Sequence, residues 1–94
     1  MLPQTPNSSP NDSEVLGLAA LASTLGDSRR AQRFLDLTGI GTAELREKAA
    51  DPELLSALIR FLEAHEPDLV DVAEAIGVAP ANLVEARRSM EGEA

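Results

Sequence analysis

The chain has 94 residues, no cysteine, and 16 acidic against 8 basic side chains, for a formal net charge of −8. That length allows one small domain with little core to spare. It carries no disulfide staple or thiolate metal site, and its average field opposes phosphate backbones. Phe34 and Phe61 are the only aromatics in a 44% apolar composition led by Leu and Ala, a bias that favours helix over strand.

Residues 1–12, MLPQTPNSSPND, hold three prolines and almost no core material, so a disordered lead is expected there. Residues 13–90 read as one helical domain and residues 91–94 as a fraying end. A first helix is expected from an Asp12 or Ser13 cap to Gly26. Its core face is read as Leu18, Leu21, Ala22 and Leu25, with Val15 and Leu16 one turn earlier. Ala31, Phe34, Leu35 and Thr38 repeat the spacing from Asp27 or Ser28 to Gly39, and a short helix around Ala43 to Ala49 is anchored by Leu45.

Asp51-Pro52 reads as cap and first-turn proline. The helix they open carries Leu54, Leu55, Leu58, Ile59, Phe61 and Leu62. It is apolar over more than half its circumference, which places it at the centre of the fold. Glu66-Pro67 opens a fifth helix with Leu69, Val72, Ala73 and Ile76, ended by Gly77; Ala79-Pro80 opens a sixth with Leu83, Ala86 and Met90. No segment alternates with period two. The expected fold is all-α, a compact orthogonal bundle of five or six short helices behind the disordered tail.

Two stretches share a pattern. Phe34 to Leu45 aligns with Val72 to Leu83, each placing helix, glycine (Gly39 or Gly77), apolar plug (Ile40 or Val78) and helix in that order. Each glycine suits the left-handed residue that stops a helix. The simplest reading is two similar helical corners packed around the central helix.

Few residues could carry chemistry. His65 is the sole histidine, whereas a transition-metal or catalytic site normally recruits several His or Cys side chains. Gly39-Ile40-Gly41 follows a helix rather than a strand, unlike a phosphate loop. Asp68, Asp71 and Glu74 form an acidic stripe that reads as a solvated face. No catalytic residue, cofactor or metal is therefore expected, and the chain is read as a non-enzyme.

The fifth and sixth helices have helix-turn-helix spacing. From Phe61 to Ala86, however, stand six acids and no lysine or arginine. Only Arg87 and Arg88 could meet phosphates, so nucleic acid is not the expected partner. Arg29, Arg30 and Arg33 form the other basic cluster, with Asp36 in reach of Arg33 for an i,i+3 pair. No apolar run approaches the ~20 residues of a membrane span. The start lacks a secretory signal's basic and hydrophobic segments, and a cytoplasmic location is expected.

Phe34-Leu35-x-Leu37-Thr38-Gly39-Ile40, Leu45-Arg46, the Asp51-Pro52 helix with Leu54, Leu58 and Leu62, and Gly77-Val78-x-Pro80 through Ala86-Arg87 together resemble domain-of-unknown-function family 3572. The family comprises small helical proteins of alphaproteobacteria. The resemblance runs from about Glu14 to Met90 and implies a helical fold in a bacterial cytoplasmic setting; it implies no activity.

The leading expectation is a protein-interaction module that binds another protein or itself through apolar surface near the central helix. Ile40, Leu58, Phe61 and Leu62 are the candidate surface, and Arg29, Arg30 and Arg33 its polar rim. The alternatives are a divergent helix-turn-helix regulator using Arg87 and Arg88, and an apolar ligand pocket lined by Phe34, Leu58 and Phe61.

Overall fold

The computed structural model describes residues 10–92. Six α-helices and no strand make up those residues: α1 (Pro10–Leu25), α2 (Ser28–Thr38), α3 (Thr42–Glu47), α4 (Pro52–Glu63), α5 (Glu66–Ile76) and α6 (Pro80–Met90). The breaks fall where the sequence punctuates itself. Asp27 caps α2 by accepting from the Arg30 backbone N–H at 3.0 Å, and Asp51 caps α4 by accepting from that of Glu53 at 2.9 Å. Pro52, Pro67 and Pro80 stand in the first turns of α4, α5 and α6, where a missing N–H costs nothing. Gly39 and Gly77 end α2 and α5 in the left-handed region, at φ 73° and 81°.

The two glycine corners match locally. Gly41 and Ala79 are extended N-caps, and Ile40 and Val78 both lean on the core. Their surroundings differ. The corner of α5 and α6 packs on both α1 and α4, whereas α2 rests chiefly on α1.

The core gathers around α4, whose Leu55, Leu58, Ile59 and Leu62 have no exposed surface. Phe34 from α2, Val72 and Ala73 from α5, and Leu83 from α6 are equally covered. Phe34 and Phe61 meet edge to face, ring centroids 5.3 Å apart, the arrangement their quadrupoles favour.

The first helix departs from expectation twice. It starts at Pro10, so Pro10 to Asp12 belong to α1; the rest of the expected disordered lead, residues 1–9, lies outside the described residues. Its core face is also turned. Gly17, Ala20, Leu21 and Thr24 point inward, while Val15, Leu18, Ala22 and Leu25 are exposed. Both sets have helical spacing, and close approach decides between them. A Cβ added at Gly17 would sit 3.1 Å from the Leu55 Cβ and 3.3 Å from the Met90 Cε, so at this position α1 approaches α4 and α6 too closely for a larger side chain. Thr24, fully buried, donates its hydroxyl to the Ala20 carbonyl at 2.8 Å and leaves no unsatisfied group. Gly17→Leu is therefore expected to lower stability by about 2–3 kcal/mol through overpacking, read as a fall in urea midpoint.

Candidate functional site

The apolar candidates on α4 are core. Leu58 and Leu62 are fully buried, and Phe61 keeps 8% of its surface. The apolar excess that marked this helix is consumed by α1, α5 and α6 packing around it, so it offers no open apolar face. Ile40 is half-buried and lines a cleft of about 310 Å³ with Thr38, Leu54 and Ala57, rimmed by Glu44 and Lys48. Phe34, Leu58 and Phe61 fill the core instead of lining a ligand cavity, because each aromatic ring is covered by the other and by its neighbours.

The arginines divide. Arg29 is exposed and enters none of the ion pairs seen among the described residues. Arg30, largely covered, and Arg33, half exposed, both bind α5. Arg30 Nε donates to Asp68 Oδ1 at 3.1 Å and its Nη2 to Asp71 Oδ2 at 3.3 Å. Arg33 Nη2 donates to Asp68 Oδ2, and its guanidinium carbon stands 5.2 Å from the Phe61 ring centroid, within cation–π range. Asp36, expected beside Arg33, accepts instead from Gln32 at 2.8 Å.

Asp68 is thus the hub of a joint between α2, α4 and α5, and only 5% exposed, which corrects the solvated acidic stripe for this residue. His65, the N-cap of α5, brings Nδ1 within 3.1 Å of Asp68 Oδ2. Burial by itself would raise the Asp68 carboxyl; the hydrogen bond from Arg33 and the charges of Arg30 and Arg33 outweigh it and hold the group below its ordinary value. The first turn of α5 also favours an anion there. This is a structural joint.

A second polar joint occupies the sixth helix. Arg87, 8% exposed, donates through Nε to Glu63 Oε2 and through Nη1 to Glu91 Oε1 at 2.9 Å. Glu91 also accepts two bonds from Arg60, at 2.7 and 2.8 Å. The hydrogen bond from Arg60 is the main cause of its lowered pKa, with Arg87 adding to it. Glu91 is therefore held rather than frayed, whereas residues 93–94 lie outside the described residues. Arg87, one of the two arginines of the helix-turn-helix reading, is thus held on carboxylates and largely buried. Arg88 also has a partner interaction.

Leu37 on α2 and Val70 on α5 are exposed singly, whereas the outer face of α1 exposes several apolar side chains together. Val15 is 67% exposed, Leu18 44% and Leu25 39%, with Ala22 between them. At 100° per residue, these four side chains centre roughly 130° around the helix from the Gly17–Thr24 face. Their 3-4-3 spacing is that of a heptad seam. Beside Val15 and Leu18 the surface dips into a trough of about 180 Å³, completed by Glu14, Ala50 and Leu55. Sequence reasoning had these residues, but placed them in the core.

Among the described residues no helix is long and apolar enough to cross a membrane. No curated protein matches the chain, and no solved structure does. Residues 10–93 match the family described as protein of unknown function (DUF3572), and the chain belongs to that family.

Proposed function

We infer that this protein is a non-enzymatic interaction module whose docking surface is the outer face of α1. One observation carries the reading: Val15, Leu18, Ala22 and Leu25 line up at heptad spacing and are exposed, on a side of the helix turned away from its core face. Apolar side chains scattered singly over a surface need no explanation. Four aligned on one helix, next to a trough, match the way an amphipathic partner helix is received. The charged and aromatic residues that might have suggested catalysis or phosphate binding support this reading by being used elsewhere, in the α2–α5 and α4–α6 joints.

The test is a paired measurement on Val15→Glu/Leu18→Glu. Both sites point away from the core, so the melting temperature should stay within a few degrees of wild type. Protein–protein complexes formed by the immobilised wild-type chain should be lost from the variant. A folded variant with unchanged association would sink the proposal.

A further inference from the structure

We propose that α2 and α3 form one arm that swings open while α1, α4, α5 and α6 stay folded, with the ion pairs of Asp68 as its latch. The four other helices make a closed set, in which each packs against the remaining three. The arm stands outside it. α2 rests chiefly on α1, and α3 packs extensively on no helix. Across residues 28–50 only Phe34 and Leu45 are buried, with Leu35, Ile40 and Ala49 leaning on the core half-covered. α4, by contrast, buries seven of its twelve residues. A segment with so few covered apolar side chains opens at a lower free energy than the core it lies on.

The arm and α4 are already parted where α2 meets α3. The cleft of about 310 Å³ beside Ile40 has Thr38, Glu44 and Lys48 of the arm on one wall and Leu54 and Ala57 of α4 on the other. Closure rests on α2 instead. Phe34 meets Phe61 edge to face, and Arg30 and Arg33 reach Asp68. Opening breaks these contacts together and uncovers the Phe61 ring and the Asp68 carboxylate. Both ends of the arm can turn. Apart from its chain neighbours, only the Ser23 and Ala22 carbonyls among the described residues lie within 4 Å of a Cβ added at Gly26, so no other element grips that joint. At the far end, residues 48–50 form the turn that leads into the Asp51 cap.

Native-state hydrogen exchange of the full chain tests this, under conditions where rates report opening equilibria. Relative to intrinsic rates, the mid-helix amides of α2, that of Phe34 among them, should exchange at least about tenfold faster than the most protected amides of α4 and α5. The Leu45 amide of α3 should be no better protected than those of α2. Equal protection of α2 and α4 would overturn the proposal, and so would an α3 that outlasts α2.

Two variants separate a moving arm from a chain that is merely weak throughout. Ala86→Gly acts in α6, which packs on α1, α4 and α5. It should speed the α4 and α5 amides by about fivefold, the helix-propensity cost of a glycine. The α2 amides should not change, because the surroundings of Ala86 are the same whether the arm is open or closed. Acceleration of α2 by the same factor would show one cooperative unit and overturn the arm. Arg33→Gln reads the latch: it removes a charged hydrogen bond to a buried carboxylate, and the α2 amides should speed up several-fold. Unchanged α2 rates in that variant would overturn the latch.

Discussion

Phe34→Ala should lower the unfolding free energy by about 3–5 kcal/mol, the cost of removing a buried aromatic and leaving a cavity. Phe34 has no exposed surface, touches the Phe61 ring edge to face, and is the one residue of α2 buried throughout. Without it, α2 keeps only partly covered apolar contacts. A domain of this size holds about 5–10 kcal/mol in all, so the variant should unfold near physiological temperature. Chemical denaturation followed by circular dichroism measures the effect. A loss below about 1 kcal/mol would mean that α2 is not anchored through this ring.

Asp68→Ala is the second large effect, at about 2–4 kcal/mol, because it strands partly buried guanidinium charge. Arg30, with 14% of its side chain exposed, would keep only the exposed Asp71. The sign of the pH dependence follows from the lowered Asp68 carboxyl. The unfolded chain takes up this proton at the ordinary carboxylate value, before the folded one does. The contribution is complete above that value and is lost as pH falls through the lower folded one. Wild type should therefore lose stability more steeply than Asp68→Ala between about pH 5 and pH 2, and the gap between them should narrow as the medium becomes acid. Equal slopes would show that the carboxylate gains nothing from Arg30 and Arg33.

The helices were legible because their ends are written in local chemistry. Asp27, Asp51-Pro52, Glu66-Pro67 and Ala79-Pro80 begin helices, and Gly39 and Gly77 stop them, through contacts within a few residues. The family was legible too, and the match over residues 10–93 shows it. Which face of α1 turns inward was not. Hydrophobicity ranks Leu18 and Leu25 above Gly17 and Thr24, yet the inward choice rests on the distance between α1 and Leu55, a residue 38 positions beyond Gly17. The fate of the arginines was hidden likewise. Arg30 and Arg33 find Asp68 across 38 and 35 residues, a separation at which spacing carries no signal. Near Arg33, the visible partner was Asp36, and Gln32 takes it. The α4 candidates failed for a related reason: an all-round apolar helix reads as surplus until the neighbours that cover it are known.

Gly17 and Thr24 on one side of α1, and Val15, Leu18 and Leu25 on the other, give a single helix two allegiances. Substitutions on the outer side can drift without unfolding the chain, whereas those on the inner side weaken it. Selection can therefore vary the exposed side of this helix while the architecture stands still.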